Sequence, residues 1–379
     1  MFSPKPMKHL KTHLNNLRGW RAPAKILVIQ SDDWGALRTP SGKALAAFRS
    51  AGLPVDRCHY TRLDSLEGEE DLDELFRVLR RFNDRRGHPV RFTANCLMAN
   101  PDFEKIAAAG FGDYFFEPVT ETARGSTRTS GIVDLWKKGN AEGFFVPQLH
   151  GREHLNIERW IRDIKNNDVL LRLAFDHQTY AISSHLFSPR RDSYLAAFDS
   201  DTPAFGEGRT EIVEDAVRLF NETLGFSPES FIAPNYNWDS AIEAALSMNN
   251  VPFIQSSRAQ QVSRLSRQGK SFVRRYQGQS NSYGQVYTVR NVQFEPAENP
   301  EVDWVGRALA EMASAFYFKK PAIVSTHRVN YMGHLRAENR KTNLKLLEQL
   351  IESALKRWPD VQFWTTAELG RAMSSQEVA

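Results

Sequence analysis

Short apolar runs rich in β-branched and aromatic residues alternate with longer stretches of helical period along most of the chain. The runs that predict strands are residues 25–31 (KILVIQS), 90–94, 144–149, 230–233, 252–255, 285–290, 321–326 and 361–365. Between them the apolar spacing predicts helices over 41–50, 71–86, 157–171, 211–224, 240–248, 302–318 and 338–356. The last is amphipathic, with Leu344, Leu346, Leu347, Leu350 and Ile351 forming its apolar stripe. Strands that alternate with helices imply parallel βα units. A first strand that is apolar nearly throughout implies cover on both faces. Around eight such units predict a closed or nearly closed barrel rather than an open sheet.

In parallel barrels the chemistry gathers at the carboxyl ends of the strands. Polar residues do cluster there: Ser31-Asp32-Asp33-Trp34-Gly35 after the first run, Asn95 after the second and His150 after the third. Pro234-Asn235-Tyr236 and His327 follow later runs. No fixed-period repeat or low-complexity linker divides the chain. The expected organisation is a single barrel domain over 25–372, an extension over 1–24 and a tail over 373–379.

Composition narrows the function. The 379 residues are 41% hydrophobic and 25% charged, an ordinary globular balance. With 49 basic against 45 acidic residues the net charge is only +4, which argues against a dedicated nucleic-acid binder. Cys58 and Cys96 fit no zinc or redox spacing. The basic N-terminus lacks the apolar segment of a secretory signal, and no apolar run approaches the roughly 18 residues of a membrane span. A cytoplasmic protein is the expectation.

His150-Gly-Arg-Glu-His154 places two imidazoles four residues apart, a spacing that suits two ligands of one metal ion if the second half is helical. It also fits HxxEH, an inverted zinc-peptidase signature. Val146-Pro147-Gln148 before it and Gly151 within it read instead as a strand running into a turn. In Asp32-Asp33, one carboxylate could ligate a metal while the other faces a water. The pair could equally cap a local structure, since Thr39-Pro40 beyond it resembles a helix start.

Taken in order, these elements resemble the NodB-homology polysaccharide deacetylases, a carbohydrate esterase family. Asp32-Asp33-Trp34-Gly35 looks like the first motif, and His150 and His154 match the second. Ile232-Ala233-Pro234-Asn235-Tyr236 is similar to the third, Asp303-Trp304 to the fourth, and Ile323 to His327 to the fifth. Residues 363–369, a strand leading into a helix, resemble the family's last strand and helix. The resemblance implies a distorted (β/α)7 barrel, here with an insertion over about 156–229 that contains Asp176, His177 and His185. It implies one divalent metal on Asp33, His150 and His154, with zinc foremost and cobalt, nickel, manganese or iron also compatible. Asp32 would be the general base and His327 the general acid, with Asp303 orienting His327. The backbone N–H of Asn235 would receive the oxyanion, and Tyr236 and Trp238 could stack on a sugar. The implied reaction is removal of an acetyl or similar acyl group from a carbohydrate or glycan precursor.

The chain departs from the family at Ile232, where the family carries the arginine that holds the catalytic aspartate. That departure keeps a silent glycan-binding or assembly protein in view, beside a hydrolase of a small non-sugar amide. An open groove lined by aromatics would favour a sugar; an enclosed metal would favour the small amide. One charge pattern stands apart. Residues 255–290 hold no acidic residue but carry Arg258, Arg264, Arg267, Lys270, Arg274, Arg275 and Arg290. This is either a solvated loop or a contact for phosphate or carboxylate groups on the substrate. His334 reads as a surface residue.

Overall fold

The computed structural model describes residues 16–180, 182, 193–263 and 272–375. His185, Arg264, Arg267 and Lys270 lie outside the described residues. Nine strands form one sheet: β1 (Ile26–Trp34), β2 (Phe92–Leu97), β3 (Phe145–Gly151), β4 (Ser230–Ile232), β5 (Phe253–Ser256), β6 (Val286–Val289), β7 (Val292–Gln293), β8 (Ala322–His327) and β9 (Gln362–Phe363). The helices used below are α1 (Glu69–Leu79), α2 (Ile132–Ala141), α3 (Pro203–Leu224), α4 (Ser240–Met248), α5 (Trp304–Tyr317), α6 (Ala337–Arg357) and α7 (Thr366–Ser374).

The strands lie in the order β6-β5-β4-β3-β2-β1-β8-β7, with β9 against the start of β1, and every pairing is parallel. The two edges of this order are consecutive pieces of one segment. Its first half pairs with β5 and its second half with β8. The predicted strand 285–290 corresponds to β6 alone; β7, beyond Arg290 and Asn291, has no counterpart among the predicted strands, and the two short strands together bridge the sheet's ends. The architecture is the distorted (β/α)7 barrel that the sequence leads one to expect.

The barrel interior changes character with height. Ile26 and Val28 of β1 meet Phe253, Val286 and Ile323 from other strands and Leu369 of α7 at the bottom. Leu27 and Ile29, on the alternate face, join the larger core beneath the outer helices, with Met312, Leu344 and Leu347. Above Val28, the interior is a buried amide and hydroxyl network. Gln30 donates to Thr366 and Thr288. Asn95 and Gln255 exchange hydrogen bonds, and Gln255 donates on to Ser230. Buried polar groups must be paired, so this layer fixes the strand ends that rise above it.

Element ends follow local chemistry. The predicted helix 157–171 is two helices, Ile157–Lys165 and Val169–Asp176. Asn167 is left-handed (φ 57°) and Asp168 caps the second helix. The predicted helix 211–224 begins earlier, at Pro203, because Thr202 caps it and proline suits a first helical position. No helix among the described residues is long and apolar enough to cross a membrane.

Helix α7 closes the bottom of the barrel at Gly370, where an added Cβ would lie 2.4 Å from Phe253. Gly370→Ala should therefore cost about 1–3 kcal/mol through overpacking, read as a lower denaturant midpoint with an unchanged slope.

Candidate metal and catalytic site

A regular strand would send Asp32 into the barrel and Asp33 out of it. The register between β1 and β2 shifts between Ser31 and Trp34, and Asp33 adopts a left-handed conformation with φ 77°. Such a bulge re-aims a side chain at a cost of order 1–3 kcal/mol for a non-glycine residue. Both carboxylates consequently reach the same end of the barrel. Each is held by its own arginine: Arg38 Nη2 lies 2.9 Å from Asp33 Oδ2, and Arg290 forks across both oxygens of Asp32 at 2.6 and 2.7 Å.

Asp33 Oδ1 has no hydrogen-bond partner although it is buried. It lies 3.4 Å from His150 Nε2 and 3.6 Å from His154 Nε2. His150 Nδ1 is 2.9 Å from the carbonyl of Ile232. That contact requires the proton on Nδ1, which leaves the Nε2 lone pair facing Asp33. His150 Nε2 likewise has no hydrogen-bond partner. One ligand atom from each of Asp33, His150 and His154 falls within 4.8 Å of the others, all three residues being buried. Ligands ~2.1 Å from a tetrahedral ion would be ~3.4 Å apart, so the residues fit a divalent metal. Burial holds His154 neutral, pushed down to about 3, which is the ligating form. Against burial, the Arg38 guanidinium keeps the Asp33 carboxyl well below its usual range.

The two histidines achieve this without a helix. His150 is the last residue but one of β3, Gly151 ends it and turns the chain with φ 120°, and residues 152–156 are non-helical. Glu153 of the HxxEH pattern is buried in a fork from Arg152 and takes no part in the cluster.

Asp32 accepts from Asn95 Nδ2 at 2.7 Å as well as from Arg290. Burial opposes ionisation, but Arg290 outweighs it and brings the carboxyl down to about 2. His327 Nε2 stands 3.7 Å from Asp32 Oδ2, and its Nδ1 lies 2.6 Å from Glu295 Oε1. Burial pushes the His327 imidazole down, yet Glu295 and then Asp32 raise it to about 9. Behind this layer, Arg328 is fully buried between Asp64 and Glu67, while Asp64 also faces Arg38 at 3.3 Å.

Several expectations change. Asp303 does not orient His327: it caps α5, accepting from the Gly306 N–H at 2.8 Å, and Glu295 holds the imidazole instead. Trp238 is no stacking platform, because it is fully buried and donates to buried Glu243. Tyr236 is part-buried, and its hydroxyl accepts from Arg290 at 3.0 Å. Asn235 and Tyr236 are both left-handed (φ 56° and 53°), and Asn235 lines the pocket with Asp32, His150, His154, Tyr236 and His327. His334 is exposed against the carbonyl of Pro40. The arginine absent at Ile232 is supplied from another strand end, by Arg290. Arg290 had been visible in the sequence only as one of the basic residues of 255–290. Glu295 carried no signal of its own.

No family model matches the chain, and no curated protein matches it. Among solved structures it is similar to Puue allantoinase, at 12% identity over 96% of this chain and 96% of that one, with a TM-score of 0.46. It is also similar to the peptidoglycan deacetylase PdaC from Bacillus subtilis, at 9% identity over 94% and 95% with a TM-score of 0.36. The Xyl-CE4 domain of a multidomain xylanase from the hindgut metagenome of Trinervitermes trinervoides matches at 11% identity over 92% and 91%, with a TM-score of 0.36. Likenesses this distant leave the reaction to be argued from the residues.

Two outcomes test this geometry. Purified protein dialysed against zinc should retain one equivalent by elemental analysis, and His150→Ala should retain none. Arg290→Met should lower unfolding free energy by about 3–5 kcal/mol, because it leaves a buried carboxylate unpaired; Arg290→Lys, lacking the fork, should recover only part of that loss.

Proposed function

We infer that the protein is a metal-dependent hydrolase that removes an acetyl or similar acyl group from a carbohydrate. The observation that carries this reading is the meeting of a buried Asp33–His150–His154 cluster, in which Asp33 Oδ1, His150 Nε2 and His154 Nδ1 are all unpartnered, with an ionised Asp32 and a protonated His327. The sugar rests on the ordered motifs of the sequence. Asp33, His150 and His154 would hold the ion, and zinc suits their two nitrogens and one oxygen. When bound, such an ion supplies Lewis acidity toward an acyl carbonyl and toward water.

The chain's own groups do the rest. Asp32, fixed by Arg290 and Asn95, accepts a proton from the water that attacks the acyl carbon. The backbone N–H of Asn235 faces the oxyanion, a donor typically worth on the order of 3 kcal/mol. As the C–N or C–O bond breaks, His327 gives its proton to the departing nitrogen or oxygen. Asp32 Oδ2, 3.7 Å from His327 Nε2, then returns a proton to restore the pair. Glu295 keeps His327 charged until that step, and Tyr236 acts as a positioning residue through Arg290.

A second reading, hydrolysis of a small non-sugar amide, draws on the compact pocket of about 290 Å³ and on Trp238 being turned into the core. A panel of acetylated sugars and small cyclic and linear amides separates the two by which class releases product.

Asp32→Asn should keep its metal and lose turnover by at least ~100-fold. Retained turnover would remove Asp32 from the role of base. His327 must be protonated to act, so activity should fall as pH rises through about 9. In Glu295→Gln the alkaline limb of kcat against pH should move down toward the ordinary histidine value, near 6.5. The raised pKa also stabilises the fold below about 6.5, a contribution lost as pH rises through about 9.

A further inference from the structure

After β5 the chain leaves the barrel as an antiparallel hairpin whose two strands are Ala259–Gln261 and Phe272–Arg274. Its register pairs Ala259 with Arg274, Gln260 with Val273 and Gln261 with Phe272. Directly paired residues share a face, with Cβ atoms about 4.5–5.5 Å apart. Gln260 and Val273 turn inward: Gln260 is buried and donates to the carbonyl of Trp238 at 2.9 Å. The other face carries Gln261, Phe272, Ala259 and Arg274.

That face begins at the catalytic pocket. Gln261 lines the pocket beside Asp32 and His327, and it is anchored there by a bridge to Asn237 and by the Trp238 N–H donating to its carbonyl. Phe272, its direct partner, is 57% exposed, unusual for a residue whose burial would otherwise stabilise the hairpin. Arg274 is exposed and has no ion-pair partner among the described residues. Two other arginines of the stretch are used inward, Arg275 on Glu243 and Arg290 on Asp32. The stretch from residue 255 to residue 290 itself contains no carboxylate. Phe272 thus sits opposite the pocket-lining Gln261 and Arg274 opposite Ala259, two residues further along the same face; an exposed aromatic followed by a guanidinium with no ion pair among the described residues matches a sugar ring followed by an anion.

We propose that the outer face of this hairpin, Gln261–Phe272–Arg274, is a substrate subsite that selects acylated sugars bearing a phosphate or carboxylate group beside the acylated ring. The proposal rests on the hydrolase reading for its substrate but not for its recognition of charge. The test compares kcat/KM for three acetylated sugars: N-acetylglucosamine 1-phosphate, N-acetylmuramic acid and the neutral methyl N-acetylglucosaminide. The phosphate and carboxylate arms identify which anion is read. Wild-type protein should prefer at least one anionic sugar roughly tenfold, and Arg274→Gln should remove most of that preference. Raising salt should erode the preference in wild type and leave the variant flat. Phe272→Ser should raise KM for all three sugars. Equal use of neutral and anionic sugars, or a preference unchanged in Arg274→Gln, would overturn the proposal. If none of the three is hydrolysed, calorimetry on zinc-loaded protein decides independently. Anion-dependent binding weakened by Arg274→Gln supports the subsite while counting against the hydrolase, and equal binding by wild type and variant overturns the subsite.

Discussion

The left-handed turn at Asp33 is the constraint on which the site depends. It breaks the two-residue alternation of β1 at the one place where adjacent carboxylates must face the same volume. Two like charges so close are tolerated because each has a buried guanidinium of its own, Arg38 for Asp33 and Arg290 for Asp32. Those arginines differ in consequence. Arg38 takes one oxygen of Asp33 and leaves the other bare toward the histidines, whereas Arg290 takes both oxygens of Asp32. The same residue type thus leaves one carboxylate with a vacant coordinating oxygen and holds the other as an ionised, oriented base.

The pairs are tied together both through the barrel interior and through the loops above it. Arg290 also donates to Gln30 in the interior amide layer, and Asn95 links Asp32 to Gln255. Arg328, one residue after His327, is locked by Asp64 and Glu67. Asp64 in turn faces Arg38. Buried ion pairs seldom add much net stability over apolar packing, but breaking one is costly. Here they set geometry: a movement of either strand end would leave a charge unpaired.

Much of this was legible in the chain. The parallel barrel followed from strand–helix alternation, and the strand-end rule pointed to Asp32, Asp33, His150 and His327, because each sits where a short apolar run stops. The structure brings those four together with His154. What the sequence hid were contacts between distant positions. Arg290 lies 258 residues from Asp32, and Glu295 lies in a loop with no motif around it. Asp303 was misassigned because an acidic residue before a tryptophan is equally the start of a helix, and its carboxylate is spent on that helix. Trp238 was misassigned because an aromatic near a strand end reads alike whether it faces a pocket or the core. Strand β7 was also hidden, since nothing local marks where a segment stops pairing with one neighbour and begins with another.

The most direct test of a single-ion acyl hydrolase is a titration of activity with metal. Chelator-stripped protein would receive zinc stepwise while acetate release from acetylated sugars and small amides is followed. The account predicts no release without metal, a linear rise, and a sharp break at one equivalent per chain. Full activity in stripped protein, or a rise with no break near one equivalent, would contradict it.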